Sequence, residues 1–421
     1  MTHIFRHAAP IALLVLVVAC SDEPLDAGDG MVRDAGTTVV ADGGGQDRDA
    51  GEPAVDAGVA RDGGSVRDGG TSTSTVPLGT IDLGTISTGA DGRTPPIEFE
   101  LPADTVSFMV VTEAAPEAFV VVYTLEGPDG PLVTNDESTL TPLERLLLGP
   151  FAAQFKSPNR VVQDSGIAAA LFPNNPGVSV SGGTYTMRIA GLVPQGQQGQ
   201  PYVGDIDVEI LFRTQVPSSG RLDVSLYFTG AGGIDAASAP TAPLIQDALV
   251  DLGEIYATAG ITIGAIAYHD VDARFRTIEV ALSGGAGPLE EMFEATQGPG
   301  LHFFFVDRFE SPIPGGAIGG IAGGLPGPPL RPSTLNSGVA VALEPANEDP
   351  AVLAHVMAHE GGHWLGLFHT SEITGSEDQH PETPSGEAGN LHLMYPAVGG
   401  GTMISPSQAR VMRLHAETIA Q

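Results

Sequence analysis

Residues 359–369 read His359-Glu360-Gly361-Gly362-His363-Trp364-Leu365-Gly366-Leu367-Phe368-His369. On an α-helix, His359 and His363 share one face about 6 Å apart along the axis, so their imidazoles can converge on one tetrahedral zinc ion. Glu360 follows the first of them, where its carboxylate can reach a water at the metal and act as general base. His369 would lie roughly 15 Å from His359 along a continuous helix, so the chain must turn back to bring it in. Gly366 sits where that turn is needed, because glycine tolerates the left-handed backbone that ends helices. Three protein ligands leave a fourth position open for water, as catalytic zinc sites require.

Upstream, Asp349-Pro350 supplies an N-cap and a proline for the first helical position, and the helix is predicted over 351–365. Gly361 and Gly362 inside it cost about 1 kcal/mol each relative to alanine. They either leave room for substrate beside the metal or admit close packing against a neighbouring strand. His355, one turn before His359, reads as a packing or supporting residue rather than a fourth ligand.

The pattern H-E-x-x-H-x-x-G-x-x-H resembles the signature of the metzincin zinc peptidases. Further on, Asn390-Leu391-His392-Leu393-Met394-Tyr395-Pro396 is similar to the methionine-bearing turn that metzincins place beneath the zinc. The resemblance implies His359, His363 and His369 as zinc ligands, Glu360 as catalytic base, and Met394 as the supporting methionine. It also implies a transition-state role for Tyr395, since a tyrosine after this methionine lies near the metal in some metzincin families. The competing reading of Tyr395 is a packed aromatic beside a proline turn. His369-Thr370-Ser371-Glu372, followed by Asp378 and Glu382-Thr383-Pro384, resembles the pappalysin-like branch. That branch usually carries Asp-Thr-Pro and several cysteines here, whereas this chain has Glu382 and no cysteine in the segment. Glu372, Asp378 and Glu382 are oxygen-ligand candidates for Ca2+, against the alternative of solvated loop carboxylates.

The chain has 421 residues, a formal charge of −33 and a single lysine, Lys156. That balance excludes general nucleic-acid binding, which needs a basic face. The start reads as an export signal: Arg6, an apolar run over 11–18 too short to span a membrane, then Val17-Val18-Ala19-Cys20. This end resembles a bacterial lipobox, with Cys20 as the lipidated residue; an ordinary signal peptide is the alternative. Cys20 is the only cysteine, so no internal disulfide is expected. An acyl anchor would place the chain in the bacterial cell envelope, facing the periplasm or the exterior, with contact to the membrane through lipid alone.

Four segments follow. Residues 1–20 are the signal. Residues 21–75 repeat Asp-Ala-Gly and Asp-Gly-Gly, carry 12 acids against 4 arginines, and are expected to form a disordered, self-repelling linker. Residues 76–215 alternate apolar and polar positions between Gly/Pro turns, as in a β-sandwich. This part weakly resembles the jelly-roll modules of secreted bacterial proteases. Residues 216–421 carry the zinc motif, with strands expected near 222–228, 261–268, 301–306 and 338–343 and a helix over 244–256 closed by Gly260. A last helix opens with the capping box Ser405-Pro406-Ser407-Gln408. The glycine-rich run 315–327 lacks a phosphate loop's lysine and reads as a mobile loop bordering the cleft, able to pair with an extended peptide. The expected class is α+β: a metzincin-type domain with a twisted mixed sheet, zinc helix, Met-turn and C-terminal helix, behind a sandwich and a linker. The expected function is zinc-dependent hydrolysis of protein or peptide substrates. The alternatives are a surface binding or adhesion lipoprotein, and a zinc hydrolase of non-peptide amides.

Overall fold

The computed structural model describes residues 19–21, 78–195, 198–280, 287–310, 318–346, 348–372, 377–397 and 400–421. The apolar start before Ala19 and the acid-rich linker after Ser21 lie outside the described residues. Among the described residues, no helix is long and apolar enough to cross a membrane.

The first layer is built from antiparallel strands. Gly79–Ser87, Asp205–Arg213, Ser107–Glu113 and Ile167–Phe172 make one sheet in that order. Gln198–Pro201, Gly183–Gln195, Phe119–Gly127 and Gly130–Val133 make the second, with Ile97–Leu101 and Asp164–Ser165 paired alongside. Phe108, Val110 and Phe172 from the first sheet meet Phe99, Val121, Tyr185 and Ile189 from the second in one core. This is a two-sheet sandwich. A short helix, Pro142–Leu148, opens with a reciprocal Thr141–Glu144 capping box that the sequence reading passed over.

Two strands of the first sheet, Ser107–Glu113 and Ile167–Phe172, are buried on both faces. Successive side chains point to opposite sides of a strand. Phe108 and Val110 enter the sandwich core, while Met109, Val111, Ile167, Ala169 and Leu171 enter a second core shared with residues from 222 onward. Residues 75–421 accordingly fall within one compact unit.

The second layer is a mixed sheet in the order Ala19–Ser21, Ile318–Ala322, Val339–Ala342, Leu301–Val306, Gly220–Phe228, Ile261–Asp270, with Ile419–Ala420 against the start of Gly220–Phe228. The pairs 339/301, 301/220 and 220/261 are parallel; 318/339 and 19/318 are antiparallel. The crossover between Gly220–Phe228 and Ile261–Asp270 is the helix Pro243–Thr258, which ends where Gly260 takes φ +73°. The helix Pro350–Trp364 lies beside it and is buried almost all round from Leu353 to Trp364, as befits a helix between a sheet and a second layer. Asp349 caps it by accepting from the Ala351 N–H at 2.9 Å. The architecture is α+β.

Part of the glycine-rich run departs from expectation. Ile318–Ala322 is a β-strand rather than a loop, antiparallel to Val339–Ala342. Residues 315–317 lie outside the described set. Its missing side chains are a packing requirement, since a Cβ on Gly320 would run into Glu360 Cγ. The strand's outer edge already holds an extended segment, Ala19–Ser21, paired antiparallel to it.

Candidate metal centre

The three histidines of the opening motif converge. His359 Nε2 and His363 Nε2 lie 3.0 Å apart, and His363 Nε2 and His369 Nε2 lie 3.2 Å apart. They are the only group of three or more His, Cys, Asp or Glu side chains, among the described residues, placed to share a metal ion.

The other ring nitrogens show why this set could hold a metal ion. His359 Nδ1 lies 2.6 Å from Leu393 O, and His363 Nδ1 lies 2.6 Å from Leu367 O. A carbonyl oxygen only accepts, so both Nδ1 atoms carry the proton and both Nε2 atoms carry lone pairs. His369 Nδ1 is likewise 3.1 Å from Glu372 Oε2. Three lone pairs thus face one point in a buried space, an arrangement that a cation satisfies and that neutral rings alone do not. Burial, and next the neighbouring His369, push the His359 and His363 pKa values well below the imidazole range, keeping them neutral as ligands must be. Three nitrogen donors fit zinc with one position open.

Local sequence builds each part. His359 and His363 stand one helical turn apart on Pro350–Trp364. The chain then reverses at Gly366, φ +101°. The Gly366 N–H donates to His363 O at 2.8 Å and the Leu367 N–H to Gly362 O at 2.9 Å, the paired bonds of a Schellman turn. The same turn presents Leu367 O to His363, so one glycine both ends the helix and fixes a ligand's tautomer. Leu393 O, next to Met394, fixes His359. The Thr370 N–H donates to Met394 O at 2.9 Å, tying the segment after His369 to the same turn. Met394 is fully buried.

The glycines at 361 and 362 admit close packing; they do not open space for substrate. A Cβ on Gly362 would come 2.8 Å from Met394 Sδ, and one on Gly361 would strike Tyr256 Oη. Tyr256 donates from there to Ala358 O at 3.2 Å, locking the two helices together.

Glu360 is fully buried on the same helix, with the edge strand at Gly320 packed on its side chain. His355 is buried outside the triad, its ring centroid 6.1 Å from that of His359, and burial lowers its pKa to about 4. Tyr395 is half-buried, packed against Gly400. The three carboxylates considered for Ca2+ are not gathered. Glu372 faces His369; Asp378 accepts from the Thr383 hydroxyl and the His380 N–H; Glu382 accepts from Ser407. Nor are the first two solvated: the Glu372 side chain is 7% exposed, and burial raises the Asp378 pKa to about 6. The supporting role of Glu372 escaped the sequence reading, although its position three residues after His369 puts a carboxylate within reach of that ring.

No family model matches the chain, and no curated protein matches it. Among solved structures, metalloproteinase-II from Bacteroides fragilis is similar over 49% of this chain and 62% of its own, at 14% identity and TM-score 0.26. An active-site mutant of a family two carbohydrate esterase from Clostridium thermocellum is similar over 55% of this chain and 66% of its own, at 7% identity and TM-score 0.15. The chain therefore spans less than two thirds of either. Both are faint likenesses of fold, and the metal centre rests on its own geometry.

Proposed function

We propose that this chain is a zinc-dependent endopeptidase of metzincin type, with the pappalysin-like branch as its nearest pattern. The observation that carries the reading is the set of three Nε2 lone pairs turned on one point, each ring fixed from behind through Nδ1. Zinc there supplies a Lewis acid that polarises the scissile carbonyl and makes a water acidic.

The chain's own residues do the rest. Glu360, next to His359 in sequence, takes the proton from the attacking water and returns it to the leaving amine. Tyr395 donates to the developing oxyanion. Met394 packs beneath the helix at Gly362 and fixes the turn that orients His359. The edge strand Ile318–Ala322 receives an extended peptide by antiparallel pairing, the mode in which it already holds Ala19–Ser21. That edge favours an extended peptide over a compact non-peptide amide. Lipidation at Cys20 anchors the chain in the envelope, and processing before Cys20 removes Ala19, the partner of Ile321, from the edge.

The test is zinc content and casein turnover of the purified full-length protein, with and without a chelator. One zinc per chain with chelator-sensitive cleavage supports the reading. A zinc-loaded protein that cleaves no peptide points to a binding module or a non-peptide hydrolase, and a chain that takes up no zinc contradicts it. Labelling with a radioactive fatty acid, lost in Cys20→Ala, tests the anchor; equal labelling of the variant refutes it.

A further inference from the structure

The segment after the third histidine is held from outside its own layer. Phe368, immediately before His369, packs edge-to-face on Phe155 of the sandwich, with ring centroids 5.6 Å apart. The Arg160 guanidinium lies over both rings, 4.7 Å from the Phe155 centroid and 5.4 Å from that of Phe368. Arg160 is buried and donates from Nη2 to Glu377 O. Gln379 reaches back, donating from Nε2 to Ser157 O at 2.8 Å. Glu377 bridges to Ser371 across this loop, and the Asp378 N–H donates to Thr370 O at 3.3 Å. The sandwich therefore grips the chain on both sides of Glu372, whose carboxylate accepts from His369.

The charges near this contact have complementary signs. Two carboxylates, Glu372 and Asp378, act on the buried Arg160 guanidinium and offset part of its desolvation. Asn174 pins the Arg160 backbone, accepting from its N–H at 3.2 Å and donating to its carbonyl at 2.7 Å.

We propose that Arg160, contributed by the sandwich, is a positioning residue of the metal centre: through Glu377 O and the Phe368 ring it holds the segment that carries Glu372 to His369 Nδ1, and so sets the metal affinity of the third ligand. This rests on the zinc reading of the three histidines. Partners behind ligating histidines typically change metal affinity 10- to 100-fold when removed, and Arg160 acts one step further back through such a partner.

Zinc affinity is measured by chelator competition on the full-length protein as wild type, Arg160→Met, Arg160→Lys, Glu372→Gln and the Arg160→Met/Glu372→Gln double variant. Melting of each metal-free form reports folding separately. Glu209→Gln cuts the Arg331–Glu209 ion pair elsewhere between the two layers and serves as the control. Each of Arg160→Met and Glu372→Gln should weaken zinc binding about tenfold or more, with Arg160→Lys in between. The double variant should be no weaker than the poorer single one, because both break the same chain of contacts. Glu209→Gln should bind zinc as wild type does. Affinity within twofold of wild type in Arg160→Met, full additivity in the double variant, or an equal loss in Glu209→Gln would overturn the proposal. If Arg160→Met does not fold, an undiminished affinity in Arg160→Lys together with Glu372→Gln does the same. Wild type that binds no zinc would instead remove the metal-centre reading itself.

Discussion

His363 Nε2 stands 3.0 Å from His359 Nε2, although both nitrogens carry lone pairs. Two acceptors placed that close repel unless a cation sits between them. His363→Ala should therefore lower zinc from about one ion per chain to near none. Added zinc should raise the melting temperature of wild type by mass action and leave that of the variant unmoved. An equal rise in both would place the ion elsewhere.

Gly361 meets Tyr256 where a Cβ would strike the phenol oxygen. Alanine gains about 1 kcal/mol of helix propensity, but overpacking costs ~1–3 kcal/mol and displaces the Tyr256–Ala358 hydrogen bond. Net destabilisation is expected for Gly361→Ala in denaturant titration. Tyr256→Phe added to that variant should recover part of it, because the phenol oxygen is the clashing atom. A stabilised Gly361→Ala would show that the two helices are not locked at this point.

Leu171 belongs to the sandwich yet lies in the core shared with the layer that carries the three histidines, where a Cβ on Gly366 would sit 3.3 Å from its Cδ2. Leu171→Ala should cost ~2–5 kcal/mol. Trp364, the single tryptophan, is buried in the other layer and reports on it by fluorescence. Its unfolding transition should move down together with the circular-dichroism transition of the strands. A Trp364 transition that stays in place would mean the two layers unfold independently.

Glu417 is buried, and the Gly300 and Leu330 N–H groups donate to its carboxylate. Burial outweighs these bonds and raises its pKa to about 7 from an ordinary 4.5. The native state then binds more protons than the unfolded chain between those values. This contribution to stability is full below about pH 4.5 and is lost as pH rises through about 7. The shift corresponds to at most about 3 kcal/mol. Glu417→Gln should remove that slope from melts taken across the window. Parallel pH profiles for wild type and variant would contradict the assignment.

The metal centre was legible because its parts are local. His359 and His363 are one helical turn apart, Gly366 must turn the chain, and Asp349-Pro350 marks the helix start. What surrounds the centre was less legible, because it depends on contacts between distant residues. Gly319-Gly320 looks like loop composition, and only the approach of Glu360 explains a strand without side chains there. Gly361 and Gly362 likewise left open space and close packing undecided, and the approach of Tyr256 and Met394 decides for packing. Continuous apolar runs at 108–111 and 167–172 were the signal for strands buried on both faces, but the second partner is not written in the run itself. Arg160 lies more than 200 residues before the histidine it braces, beyond the reach of any local pattern.

In the proposed reaction, Glu360 is the residue that separates metal binding from peptide cleavage. The measurement is zinc content and casein turnover of full-length Glu360→Gln beside wild type. The amide keeps the shape and leaves the three histidines intact, so one zinc per chain should remain. Turnover should fall by more than about a hundredfold, the range expected when a general base is removed. A Glu360→Gln protein that holds its zinc and still cleaves casein within a few-fold of wild type would show that this carboxylate is not the base.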